Sequence, residues 1–144
     1  MKRPDGSFVV IFKDESRKEI FLVLRSDKPI WNLPGGGIEG NESPEDAAFR
    51  ETFEETGFQI SLARKVGTYK NIDIQTGDMW NYAYLYEGRY TSGEFRPEFP
   101  GCEGRWFPID ALPDTAMPVT RTRIKDTLEN TGIPFEKEYH PKFV

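Results

Sequence analysis

Five consecutive apolar residues from Phe8 to Phe12 (FVVIF), and five more from Ile20 to Leu24 (IFLVL), flank the polar stretch KDESRKE. Unbroken apolar runs suit strands covered on both faces, and the polar stretch predicts a turn that makes them neighbours. From Ser43 the pattern changes period. Ser43 is a good N-cap, Pro44 suits the first helical position, Asp46 stands where a capping-box partner would, and Gly57 can take the left-handed conformation that stops a helix. Beyond it, Gln59 to Lys70 reads as a strand with a bulge or bend at Gly67, and Met79 to Tyr90 as a strand of alternating character. The stretch between them, Asn71 to Asp78, reads as a loop or hairpin tip. Thr91 to Gly104 holds two Pro and three Gly and reads as irregular. Val119 to Asn130 predicts a last helix with Val119, Ile124 and Leu128 inward, and residues 132–144 a mobile tail.

The helix after Ser43 has two unlike faces. At about 100° per residue, Ala48, Phe49, Thr52 and Phe53 fall on one, and Ala47, Arg50, Glu51, Glu54 and Glu55 on the other. Glu51 and Glu55 are an i, i+4 like-charge pair, which costs roughly 0.2–0.5 kcal/mol in an isolated helix. Glu54 and Glu55 also sit in the last turn, the wrong end for the helix dipole. A solvated acidic helix end is the structural explanation. The glycine turn at Gly35-Gly36-Gly37 supplies the chemical one: three carboxylates beside backbone carbonyls make an all-oxygen site of the kind hard divalent cations such as Mg²⁺ prefer.

Composition narrows the chemistry. The 144 residues fit one domain, 1–144, with 14% aromatic residues for its core. Nineteen basic against 24 acidic side chains give a net charge of −5, so no general cationic field draws nucleic acid. With one cysteine, Cys102, and one histidine, His140, there is neither an internal disulfide nor a thiolate zinc site. Cys102 reads as a small buried residue and His140 as a surface one. No apolar run reaches the length of a signal-peptide core or a membrane span, so the chain reads as cytoplasmic. On the strand from Met79, Trp80, Tyr82, Tyr84 and Tyr86 share a face. They read as a buried ladder, or, for Trp80 and Tyr82 nearest the loop, as a wall for a nucleobase.

Gly36, five residues, Glu42, seven residues, then Arg50-Glu51-Thr52-Phe53-Glu54-Glu55-Thr56-Gly57-Phe58 resembles the Nudix box, G-x5-E-x7-R-E-U-x-E-E-x-G-U. Every charged and glycine position matches; Thr52 stands where the pattern has a bulky aliphatic. Trp31-Asn32-Leu33-Pro34 before the glycines resembles the lead-in many members carry, with Trp31 read as core. Glu103 and the following GRWFPIDALP resemble the E-x-x-W-F-x-x-x-x-L-P element found late in such domains.

The resemblance implies the Nudix fold, an α/β fold with a mixed β-sheet in an α/β/α sandwich. It implies hydrolysis of a nucleoside diphosphate linked to a group X, with Mg²⁺ or Mn²⁺ as cofactor. Glu51, Glu54 and Glu55 would be metal ligands, joined by the Gly35 carbonyl and by Glu103. Arg50 would hold the glutamates' rotamers, Glu42 would tie the loop to the helix, and Glu54 and Glu103 are candidates for the general base. Arg25, ending its strand, is a surface charge or a phosphate contact. Missing family signatures for other substrates tilt the reading to a MutT-like nucleoside triphosphate pyrophosphatase, acting as a monomer or homodimer. The alternatives are a nucleotide-sugar or dinucleoside-polyphosphate hydrolase and, in another class, a non-catalytic nucleotide sensor.

Overall fold

A computed structural model describes residues 2–25 and 27–141. The strands are β1 (Gly6–Phe12), β2 (Glu19–Leu24), β3 (Trp31–Asn32), β4 (Gly35–Gly37), β5 (Gln59–Ile72), β6 (Met79–Ser92), β7 (Glu103–Pro108) and β8 (Phe135–Tyr139). The helices are α1 (Pro44–Thr56), between β4 and β5, and α2 (Pro118–Glu129), between β7 and β8. The mixed sheet runs β3-β2-β1-β6-β5-β8, with β4 paired to β1 and β7 to β2.

Both apolar runs lie between layers, as their lack of alternation predicts. Val10, Phe12, Ile20 and Leu22 pack with Ile124 of α2, while Val9, Ile11, Phe21 and Val23 pack with Ala48 of α1. The two helices therefore cover opposite faces, giving the α/β sandwich. β1 and β2 are antiparallel, with Phe12 opposite Ile20. At their other ends Gly6 to Phe8 pair with β4, and Val23 and Leu24 pair with β3 and β7. The ends of β2, β4 and β7 are thereby gathered beside α1.

One expectation changes at the C-terminal end. Residues 135–139, expected in a tail, pair in parallel with Gly67–Asn71 as β8. The pattern FEKEY carries too little apolar character to announce a strand, and the Phe135 ring uses the space left at Gly67, where a Cβ would come within 2.4 Å of it. On α2, Arg123 is buried along with Ile124, its guanidinium 4.0 Å from the Phe8 ring centre. Among the described residues no helix is long and apolar enough to cross a membrane.

Candidate active site

Helix α1 starts and stops where its sequence says. The Ser43 side chain accepts from the Asp46 N–H at 3.0 Å, and Gly57 ends the helix at φ 79° with its N–H donating to the Phe53 carbonyl. Its rotation about its axis is not the expected one. Ala47, Ala48, Thr52 and Thr56 are buried, whereas Phe49 and Phe53 are each 42% exposed. Small side chains let the helix sit close over β1, and the arc that faces the sheet carries Glu51 and Glu55 in with it. The Arg96 guanidinium lies 5.2 Å over the exposed Phe53 ring.

Thr52 pays for its place in that arc. Its hydroxyl is buried without a hydrogen-bond partner among the described residues, whereas Thr56 Oγ1 donates to the Thr52 carbonyl at 2.6 Å and accepts from Phe58 N–H. Leaving a buried hydroxyl unpaired costs about 1–3 kcal/mol. Thr52→Val, which keeps the shape and removes the hydroxyl, is expected to raise the urea midpoint by the equivalent of about 1 kcal/mol, read by equilibrium unfolding at unchanged m-value.

Arg50 is the hub of the acidic group. Its Nε and Nη2 donate to Glu42 at 2.6 and 3.0 Å, Nη2 also to the Gly37 carbonyl at 2.9 Å, and Nη1 to Glu51 and Glu54 at 3.1 and 3.2 Å. Glu42 in turn accepts from the Glu39 N–H at 2.9 Å. The forked bond from Arg50 holds Glu42 below the usual carboxylate range and raises Arg50 itself. One guanidinium thus ties the glycine loop to the helix and fixes two of the three helix glutamates.

Glu55 is held differently. Its Oε2 accepts from the Gly35 N–H at 2.7 Å, so this glycine meets the helix glutamates through its amide. Burial pushes the Glu55 carboxyl up to about 8; the Gly35 N–H opposes that, and the charges of Glu51, Glu98 and Glu54 add to it. Burial also raises Glu51, against the pull of Arg50 and with further repulsion from Glu54 and Glu98. Gly36 lies against Glu51: a Cβ there would stand 2.7 Å from the carboxyl carbon. Gly36→Ala is expected to displace that carboxylate, lowering turnover about 10²-fold, the scale for a misplacement near 1 Å, with an unchanged melting temperature.

These groups open onto a cavity of about 470 Å³. Gly35, Glu51 and Glu55 line one side, Val23, Leu24, Arg25 and Asp27 a second, and Glu98, Phe99, Cys102 and Glu103 a third. Arg25 reaches it with its guanidinium forked onto Asp27 at 3.1 and 2.9 Å. Glu103 stands opposite Leu24 in the β2–β7 ladder, 3.9 Å from Arg105. Cys102, expected in the core, is half-buried and borders the cavity. Glu54 is 43% exposed beside Arg50. Trp80 and Tyr82 do not line this cavity: Trp80 is buried beneath the Arg3 guanidinium, and Tyr82 borders a separate depression with Thr68, Lys70 and Lys137.

Glu98 and Phe99 were not singled out by sequence. Only their place in the irregular stretch between Thr91 and Gly104 pointed to them, since such loops carry function. The loop is docked on the end of α1 by the Arg96 N–H, which donates to the Thr56 carbonyl at 2.9 Å.

Among the described residues no three acidic, His or Cys side chains converge closely enough to hold an ion as they stand, since Arg50 draws Glu54 and one oxygen of Glu51 to itself. The donor chemistry nevertheless suits a hard divalent cation: carboxylate oxygens, two of them made less acidic by burial, beside a cavity that admits substrate.

The NUDIX domain family model matches residues 2–128. A Bacillus subtilis (strain 168) protein named "Putative 8-oxo-dGTP diphosphatase" is 34% identical over 122 residues, which is 84% of this chain and 77% of its own. A MutT NUDIX hydrolase from Burkholderia pseudomallei matches with a TM-score of 0.68 at 31% identity, over 87% of this chain and 98% of that one. A NUDIX hydrolase from Nitrosomonas europaea, at 20% identity, shares the fold with a TM-score of 0.73 over 98% of this chain and 82% of its own. A box complete in its charged residues, a mixed sheet between two helices and these matches have one reading: the chain belongs to the NUDIX family and is a pyrophosphohydrolase.

Proposed function

We propose that the acidic cavity is the catalytic site and that it hydrolyses a nucleoside triphosphate to the monophosphate and pyrophosphate with Mg²⁺ or Mn²⁺. The observation that carries this is the pair Glu51 and Glu55, half-buried on one helix face and open to a cavity that Arg25 also lines. Glu51, Glu54 and Glu55 would hold the metal, with the Gly35 carbonyl and Glu103 as further oxygen donors. A bound divalent cation supplies charge neutralisation of the phosphates and a more acidic water.

The chain's own side chains do the rest. Arg50 keeps Glu51 and Glu54 in fixed rotamers, and the Gly35 N–H does the same for Glu55. Arg25 can exchange Asp27 for a substrate phosphate with the same forked geometry. Water attacks phosphorus, its proton passes to a carboxylate and the bridging oxygen leaves with pyrophosphate. Of Glu54 and Glu103, Glu103 suits the base role better, because it borders the cavity and its cationic neighbour is 3.9 Å away. The name of the Bacillus subtilis relative, "Putative 8-oxo-dGTP diphosphatase", supports testing an oxidised nucleoside triphosphate as substrate.

The test is product release, in Mg²⁺ or Mn²⁺, from nucleoside triphosphates, their oxidised forms, nucleotide sugars and dinucleoside polyphosphates. The proposal expects monophosphate and pyrophosphate in equal amounts from a triphosphate. Preferred cleavage of a nucleotide sugar or a dinucleoside polyphosphate would replace the substrate, and nucleotide binding without cleavage of any would replace catalysis with sensing.

A further inference from the structure

Beside the acidic cavity is a second one, of about 420 Å³, whose walls are of another kind. Phe21 and Phe58 form a buried floor, and Tyr90, Phe95 and Trp106, each half-buried, leave ring surface open above it. Among the described residues none of its lining side chains is aliphatic. The Phe58 and Trp106 rings lie within 10° of parallel, and Tyr90 stands edge-on to both, at 78° and 87°. Such a lining favours a flat π-system over a sugar or an aliphatic chain.

Its position relates it to the acidic cavity. In the β2–β7 ladder Phe21 stands opposite Trp106, Val23 opposite Gly104, and Leu24 opposite Glu103. The first pair lines the aromatic pocket and the last lines the acidic cavity, three residues on, or about 10 Å along the strand. One loop borders both: Glu94 and Phe95 the aromatic pocket, Glu98 and Phe99 the acidic one. Lys13 and Glu94 add a cation and an anion at the aromatic rim, the two kinds of partner that the edge of a nucleobase takes. The Lys13 ammonium lies 5.9 Å from the Trp106 ring centre and makes an exposed ion pair with Glu19 at 3.6 Å.

We propose that this aromatic pocket holds the base of the substrate whose phosphates occupy the acidic cavity. The assignment rests on the proposed function and moves base recognition from Trp80 and Tyr82 to Tyr90, Phe95 and Trp106.

Two measurements test it. In the first, a nucleoside monophosphate is titrated into the Mg²⁺-supplied, ¹⁵N-labelled protein, with ribose 5-phosphate as the base-free control. The expected result is chemical-shift change at Gly93, Gly104, Arg105 and the Trp106 indole with the nucleotide only; change confined to Trp80, Tyr82 and Lys70 overturns the proposal. In the second, Tyr90→Leu and the conservative Tyr90→Phe are assayed on a nucleoside triphosphate and on ribose 5-triphosphate. Tyr90→Leu should raise KM for the nucleotide about tenfold, the scale of one lost stacking contact, with kcat kept, KM for the base-free substrate unchanged, and Tyr90→Phe near wild type. Equal KM values for both substrates in the wild type overturn it. Base-dependent shifts in the aromatic pocket without any anhydride cleavage would support the pocket and defeat the catalytic reading.

Discussion

Glu55→Gln is expected to lower turnover about 10²–10³-fold, the scale for removing one preorganised charged partner of a transition state, while stabilising the metal-free protein at pH 8. The second half follows from the direction in which the Glu55 carboxyl is moved. Burial raises it to about 8 from an ordinary 4.5, so the folded state binds this proton more tightly than the unfolded one. Stability from the group is therefore fully present below pH 4.5 and is lost as pH climbs towards 8. A tenfold difference in proton affinity between the two states corresponds to roughly 1.4 kcal/mol, which makes the lost stability a few kcal/mol at most.

Glutamine removes the charge and keeps an oxygen for the Gly35 N–H. The melting temperature of the metal-free wild type should thus fall between pH 5 and pH 8, and that of Glu55→Gln should fall less. A variant equally sensitive to pH, or active at the wild-type rate, would show that Glu55 bears neither the electrostatic cost nor the reaction.

Arg50→Met is expected to combine a loss of turnover of about 10- to 100-fold, the scale for removing a side chain that orients ligands, with a lower urea midpoint. The Arg50 side chain is 23% exposed, and its guanidinium satisfies Glu42, Glu51, Glu54 and the Gly37 carbonyl together. Its loss leaves Glu51, already raised by burial and by its acidic neighbours, without its compensating charge. Arg50→Lys should not restore activity, because an ammonium cannot fork onto Glu42 while reaching Glu51. Full activity in Arg50→Lys would reduce Arg50 to a generic counter-charge.

What could be read from sequence followed the strength of local signals. The caps of α1 are local chemistry at Ser43, Pro44 and Gly57, and the two apolar runs state their burial directly. The face of α1 was misjudged because size misleads: Phe49 and Phe53 are larger and more apolar than Ala47 and Thr56, yet close approach to β1 selects the small residues. Strand β8 escaped because its stability comes from pairing with Gly67–Asn71 and from the Phe135 ring, not from its own pattern. The spacing of the box brought Glu51, Glu54, Glu55 and Arg50 together on paper, because helix geometry is regular. Glu98, Phe99 and Cys102 join them only through the path of an irregular loop, and no periodicity encodes that path. Trp80 and Tyr82 lie two residues apart on one strand, but the β5–β6 register shifts at Trp80, and the sequence does not say which end of the sheet the cavity occupies.

The most direct test of the account is a Mg²⁺ titration of wild type and Glu55→Gln at pH 8, with melting temperature and triphosphate turnover measured on the same samples. In the wild type both should rise together and saturate at the same Mg²⁺ concentration, because one cation site relieves the repulsion of Glu51 and Glu55 and enables the reaction. In Glu55→Gln both responses should be lost. Turnover without a divalent cation, or a Mg²⁺ response that survives the substitution, would contradict the assignment of this acidic cavity as the catalytic metal site.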